Sequence, residues 1–271
     1  MKLSKKTVEE FQHLVSEYYI QHGRDLLWRR CNASGELGGY GVLVSEFMLQ
    51  QTQVLRVTPK YRAFMEQFPT ISCLASATLG DVLKMWTGLG YNRRAKYLHD
   101  AAKHLRDIKE PWTFEQLVTM KGIGPNTAKA VLVYAYNRPE VFIETNTRTV
   151  YLQCFFPETD KVTDKEIEKL LAQTIITQNP REFYWALMDY GSMLKRTSGN
   201  ASRRSSTFKT QSTFDGSRRQ VRGQVIKLLS KQSPTNRKLE SIINDVRLSE
   251  VLKDLCKEGL IILSNNRYKL P

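Results

Sequence analysis

No apolar run in this chain approaches the ~20 residues that span a bilayer. Cysteine is equally sparse. Cys31, Cys73, Cys154 and Cys256 lie far apart with no C-x-x-C pair, which argues against a zinc or iron–sulfur site built on local spacing and against a disulfide framework. Acid is scarce too: 27 Asp and Glu stand against 41 Lys and Arg, a net charge of +14. The N-terminus, MKLSKKTVEEF, is charged and has no apolar signal region. These absences lead us to expect a soluble, reduced, cytoplasmic protein with no membrane partner. The basic excess suits a solvated surface or a polyanion partner, and its concentration in one segment favours nucleic acid.

Strand-like alternation is also missing before residue 200, so the main domain is expected to be all-α. With 271 residues, 41% of them apolar, one large and one small domain are expected. Helical spacing covers 7–22, with Thr7 and Glu10 fitting a capping box, and Gly23 stops it. A glycine-rich turn at Gly35, Gly38 and Gly39 precedes a nearly all-apolar helix over 41–59. Shorter helices follow at 61–67, 70–77, 79–87, 92–106 and 113–120, then one from Asn126 and others at 147–156, 163–178 and 180–194. The main domain is therefore drawn as 1–194 and a basic linker as 195–218. The linker is rich in Ser, Thr, Arg and Lys, and Arg203 and Arg204 within it suit a phosphate backbone or a plain flexible tether. Residues 219–271 offer three helices and a hairpin turning on Asn265 and Asn266, the outline of a winged helix. Its third helix mixes lysines with Glu250, Asp254 and Glu258, so DNA contact, protein contact and simple packing all stay open.

The stretch 120–151, MKGIGPNTAKAVLVYAYNRPEVFIETNTRTVY, carries the chemistry. A glycine turn, Gly122-Ile123-Gly124, opens a helix, and the first turn of a helix offers unpaired N–H groups and a positive dipole end to an anion. Helix, G-x-G turn, helix is the pattern of a helix-hairpin-helix clamp on the DNA backbone, to which Lys121, Asn126, Thr127 and Lys129 could add phosphate contacts. An acid, Glu144, follows at a helix start. A second acid, Glu46, sits inside the apolar run. If buried it would be held protonated; if on the helix edge it is an ordinary acid paired with an arginine. Gln50, Gln51 and Gln53 suit hydrogen bonds to bases or plain polar surface. Tyr91, at a glycine turn beside Arg93 and Arg94, suits base stacking or packing on the next helix.

Three blocks, SEFMLQQTQV (45–54), WTGLGYNRRAKYL (86–98) and KGIGPNTAKAV (121–131), resemble in order and spacing the helix-hairpin-helix DNA glycosylases of the HhH-GPD superfamily, most closely the MutY-type adenine glycosylases. The resemblance covers roughly residues 8–194 and implies an all-α fold of two helical lobes with the DNA-binding cleft between them; the small winged-helix-like unit lies beyond it. It implies that Glu46 protonates the adenine leaving group and handles the water, that Gln51 wedges into the base stack, and that Tyr91 intercalates. It places a phosphate, and in relatives often a monovalent cation, at Gly122–Gly124. Asn126 stands where bifunctional relatives carry a Schiff-base lysine, so no such lyase activity is expected. Glu144 falls on the catalytic aspartate and Asn146 on a nearby asparagine. Two carboxyl groups with separated pKa values are the solution glycosidases use; here Glu46 suits the protonated role and Glu144 the ionised one.

The chain departs from that pattern in three ways. Glu144 is one methylene longer than aspartate. The four-cysteine loop is missing, so no iron–sulfur cluster or other cofactor is expected beyond a cation at the hairpin. The C-terminal domain that recognises 8-oxoguanine is replaced by the small unit. The resemblance implies a monofunctional, monomeric base-excision enzyme acting on lesion- or mismatch-containing duplex DNA, with adenine opposite 8-oxoguanine or guanine as the substrate. A glycosylase for mismatched thymine or uracil or for an alkylated base, and a non-catalytic DNA-structure binder, remain alternatives.

Overall fold

A computed structural model describes every residue except 32–36, 209 and 211–212. Gly35 of the expected glycine turn and three residues of the basic linker therefore lie outside the described residues. The described chain is helical apart from one terminal hairpin and an isolated Val162–Ser205 bridge. Its contacts divide it into two units. One comprises Met1–Gly39, Thr113–Val118 and Ile123–Thr210; the other comprises Tyr40–Trp112, Thr119–Gly122 and Gln211–Pro271.

In the first unit α1 (Lys5–His22) packs through Phe11 and Val15. The Phe11 ring meets Tyr151 and Phe155 at centroid distances of 5.2 and 4.9 Å, contacts that add to the burial of large aromatic surface. Thr7 does not cap this helix. Ser4 does, its Oγ accepting from the Thr7 N–H at 3.1 Å, so the helix begins one turn earlier than the Thr7–Glu10 spacing implied. α7 (Phe114–Val118), α8 (Pro125–Tyr136), α9 (Thr145–Phe155), α10 (Asp164–Thr174) and α11 (Pro180–Thr197) complete the unit. α10 has a true capping box between Thr163 and Glu166, and α11 starts on Asn179 with Pro180 in its first turn. At the core Phe142 stacks on Tyr184 at 4.2 Å, and the Tyr184 hydroxyl accepts from the Phe142 N–H and donates to the Glu140 carbonyl, both at 3.0 Å.

The second unit begins with α2 (Gly39–Leu49), whose Val42, Leu43, Val44, Phe47 and Met48 are buried. This helix stops ten residues before the expected end at Pro59. Gln51 turns to φ +53°, and Arg94 takes the carbonyls of Phe47, Met48 and Gln50, the acceptors that another turn of helix would have used. A separate helix, α3 (Val54–Gln67), absorbs the expected 61–67 helix and carries Pro59 inside it. α4 (Ile71–Ser76), α5 (Leu79–Trp86) and α6 (Arg93–Leu105) follow the expected pattern.

The C-terminal elements belong to this same unit: α12 (Arg218–Leu229), α13 (Asn236–Ile242), α14 (Leu248–Lys257) and the hairpin β1 (Ile262–Ser264) and β2 (Arg267–Lys269). Asn265 and Asn266, at φ +49° and +58°, make the two-residue turn as their sequence suggested. The last residue docks on α5, where the Gly80 N–H donates to the Pro271 carbonyl at 2.8 Å; a Cβ at Gly80 would lie 2.4 Å from that oxygen.

Candidate active site

In the first unit Glu144 occupies the N-cap position of α9, and its carboxyl accepts from the Tyr134 hydroxyl at 3.4 Å. Burial pushes its pKa above the ordinary glutamate value. The Tyr134 hydrogen bond and the charges of Arg29 and Lys195 pull the other way without cancelling it. The direction is opposite to that expected for a purely ionised carboxylate. Two residues along, Asn146 accepts from Lys195 Nζ at 2.7 Å and approaches the Met188 sulfur. Lys195 is half-buried, and burial lowers its pKa to about 8 although Glu144 works to raise it. Asn126, in the first turn of α8, donates to the Ile143 carbonyl at 3.0 Å, and Lys129 donates to Val141 at 2.9 Å. Both thereby tie α8 to the strand-like segment that delivers Glu144. Thr127 is half-buried in that first turn. Asp189 receives the Arg24 backbone N–H and side chain and both Arg29 Nη groups at 2.7–2.9 Å, and the Arg29 charge also acts on Glu144.

In the second unit Glu46 is half-buried on α2 between the buried Ser45 and Phe47. Gln50 donates to the Gly122 carbonyl at 3.2 Å, joining the end of α2 to the hairpin turn. Gly122 has φ +87°, and a Cβ there would fall 2.8 Å from the Tyr97 ring and 3.0 Å from Phe47, so only glycine fits. Lys121 is exposed; Gly124, in the first unit, is the N-cap of α8. Gln51 and Tyr91 share an uncommon feature: both are non-glycine residues at positive φ, +53° and +47°. Such backbone is costly and clusters at functional sites. Arg94 binds the two turns together. Its guanidinium donates to Phe47 at 2.8 Å, to the Thr52 hydroxyl at 3.1 Å and to Leu89 and Gly90 at 3.2 Å. Arg93 is spent on Glu258, to which it donates at 2.5 Å.

Residues 44–177 match the family model described as HhH-GPD superfamily base excision DNA repair protein. The chain belongs to the HhH-GPD superfamily. An adenine DNA glycosylase of Mycolicibacterium smegmatis is 37% identical over 178 residues, 64% of this chain and 59% of that protein. Another, from Buchnera aphidicola, is 32% identical over 68% of this chain and 52% of its own length. The chain thus spans a little over half the length of these relatives. Among solved structures, a thermostable thymine-DNA glycosylase superposes with a TM-score of 0.61 at 18% identity, covering 73% of this chain and 92% of that one. A trapped endonuclease III–DNA covalent intermediate gives 0.57 at 16% identity, over 71% and 88%. These two establish the fold.

Among the described residues the four cysteines are free thiols. Cys31 and Cys73 are exposed, Cys154 and Cys256 half-buried, and no group of three or more His, Cys, Asp or Glu gathers as metal ligands among the described residues. After α11 the segment 200–206 docks on α9 by hydrogen bonds. Ser202 donates to the Thr145 carbonyl at 3.0 Å. Arg204 donates to Leu152 at 3.2 Å and to Pro157 at 2.6 Å, at the C-terminal end of α9. Arg203, beside it, is exposed.

Arg29, Tyr134, Asp189 and Lys195 belong to this candidate site by their contacts, and no sequence motif singles them out. Their signal in the sequence is thin, a basic pair beside Trp28 and an acid, Asp189, in the middle of an aromatic-rich helix.

Proposed function

We propose that this chain is a monofunctional DNA glycosylase of base excision repair that hydrolyses the N-glycosidic bond of adenine opposite 8-oxoguanine or guanine in duplex DNA, acting as a monomer. The observation that carries the reading is Glu144 at the N-cap of α9, bonded to Tyr134 and flanked by Asn146 and Lys195. The adenine DNA glycosylases among its relatives support the choice of base.

The chemistry follows from what the bond requires. A base inside a duplex is out of reach, so the nucleotide is flipped at a cost of a few kcal/mol. Gln51 and Tyr91, held on strained turns, supply the wedge that offsets unstacking, and the Gly122–Gly124 turn with Lys121 and Thr127 holds a phosphate, with room in the scheme for a monovalent cation on its carbonyls. Glu46 delivers a proton to the departing purine and then handles the attacking water. Glu144 stabilises the oxocarbenium-like sugar as a carboxylate, and Arg29, Lys195 and Tyr134 favour that form against the pull of burial. Asn126 offers an amide, engaged with Ile143, where a Schiff base would need an amine.

The test is single-turnover excision by the full chain on a panel of duplexes: adenine opposite 8-oxoguanine, adenine opposite guanine, thymine and uracil opposite guanine, and an alkylated purine. Release of adenine, with strand cleavage appearing only after hot alkali, is expected. Release of a different base, or cleavage without alkali, overturns the substrate or the monofunctional assignment. Tight duplex binding with no base released from any member would make the chain a DNA-structure binder.

A further inference from the structure

The second unit contains an open cavity of about 1310 Å³, walled on one side by the turns that carry Gln51 and Tyr91 and on the other by α12. Seven arginines and lysines line it against a single acid, Asp254, together with five glutamines. That acid is already matched, since Arg218 donates to it at 2.5 Å. Glu258, at the C-cap of α14, is shared by Arg93 and Arg222. Asp254 and Glu258 are thus consumed inside the unit, and what lines the cavity is net positive. Two of its cations, Arg56 on α3 and Lys227 on α12, are exposed and have no ion-pair partner among the described residues. Tyr91 lies within the cavity wall, with the Arg219 guanidinium 4.9 Å from its ring centroid and bonded to its hydroxyl.

Each component matches one part of a nucleic-acid strand. Unpaired cations on opposite walls suit successive phosphates, an aromatic face with a planar guanidinium suits a base, and uncharged amides offer donors and acceptors to base edges. An acidic peptide would use the cations but leave the glutamines and the Tyr91 platform without a role. We infer that α12 and the Gln51 and Tyr91 turns together form a cleft for a DNA strand, with Arg56 and Lys227 as its phosphate contacts. This extends the DNA-binding surface beyond the hairpin and the wedge and gives the small C-terminal elements a role in DNA binding. It rests on the glycosylase reading, in which Tyr91 already works at the DNA.

The experiment is a salt titration of the full chain with a short fluorescein-labelled duplex carrying adenine opposite 8-oxoguanine, followed by anisotropy. The double variant Arg56→Ala, Lys227→Ala is compared with Lys103→Ala, Lys109→Ala, which removes the same charge outside the cavity wall. Each lost phosphate contact lowers the slope of log K against log salt by about 0.9, so the cleft variant is expected to lose nearly 2 from that slope and to bind about tenfold more weakly at physiological salt. The control pair is expected to keep the wild-type slope. A wild-type slope in the cleft variant, or an equal fall in the control, overturns the inference. The glycosylase reading is tested separately by base release: a wild-type chain that binds with the predicted slope difference but releases no base leaves the cleft standing and removes the enzyme. A wild-type chain that binds no duplex removes both.

Discussion

Lys195 Nζ donates to Asn146 Oδ1 at 2.7 Å, and its charge also acts on Glu144. A half-buried amine with a pKa near 8 is an unusual neighbour for a carboxyl whose own pKa is raised. The two shifts share a cause, burial, and each group relieves the other. Removing the cation as Lys195→Met should therefore raise the Glu144 pKa further. If Glu144 works ionised, the acid limb of the single-turnover pH–rate profile moves to higher pH in this variant, whereas Lys195→Arg leaves it near its wild-type position. A limb that does not move in Lys195→Met detaches Lys195 from the chemistry. Glu144→Gln should lower excision by about two orders of magnitude or more, the scale of losing a positioned catalytic group.

The same sites make opposite predictions for stability against pH. The folded pKa of Glu144 lies above the unfolded value of about 4.3, so its contribution is present at low pH and is lost as pH rises through the folded value. For Asp189 burial also works upward, but the hydrogen bonds and charge of Arg29, with those of Arg24, outweigh it, and the net pKa is lowered. Its contribution is present above the unfolded value of about 3.9 and is lost as pH falls through the depressed one. Breaking this buried network as Asp189→Asn should cost about 3–5 kcal/mol in urea unfolding at neutral pH, with the difference from wild type shrinking as the medium is acidified toward pH 3. A cost under about 1 kcal/mol would show that the pair is solvent-screened.

Arg94 should prove as important to the wedge as the wedge residues themselves. Its guanidinium satisfies carbonyls from two turns at once, and burial lowers its pKa to about 10. Arg94→Ala leaves several carbonyls with no donor, each worth about 1–3 kcal/mol when buried, so a loss of about 3 kcal/mol or more is expected. Arg94→Lys should recover little, because an ammonium cannot reproduce the fork. Rescue by lysine would mean that charge alone holds the turns.

Arg94 also marks where sequence stopped being informative. Most helix positions, the G-x-G turn and the asparagine hairpin follow local rules of spacing and backbone freedom, and the structure agrees with them. The end of α2 does not, because the group that ends it comes from residue 94, forty-four positions beyond Gln50. Arg93 and Arg94 are adjacent and look alike in the sequence. Helical geometry sends one outward to Glu258 and the other into the protein. The first cap was misplaced for a related reason, since Ser4 and Thr7 both have hydroxyls three residues before a candidate partner. Glu144 was legible as an acid at a helix start, and Asn126 lies inside the block 121–131. Asp189 and Arg29 were not legible, because the segment carrying Arg29 meets α11 only in the folded chain, and Lys195 was not, because its bond to Asn146 arises from the packing of α11 against α9.

That packing turns on Gly191. A Cβ built there would lie 2.5 Å from the Asn146 carbonyl oxygen and 3.0 Å from the Asn146 Cβ, and both contacts are to parts of α9 that cannot swing aside. Gly191→Ala should therefore push α11 off α9 at the point where Asn146 receives Lys195. Overpacking of this kind costs about 1–3 kcal/mol, more than the helix-propensity gain of about 1 kcal/mol that alanine brings over glycine. Gly223 on α12 is the comparison, because a Cβ there meets nothing within 4 Å, and Gly223→Ala should stabilise the chain. The expected result is a lower urea midpoint and slower single-turnover excision for Gly191→Ala, with a higher midpoint for Gly223→Ala. If both alanines raise the midpoint, the α9–α11 contact is looser than the structure has it, and the placement of Asn146 against Lys195 loses its support.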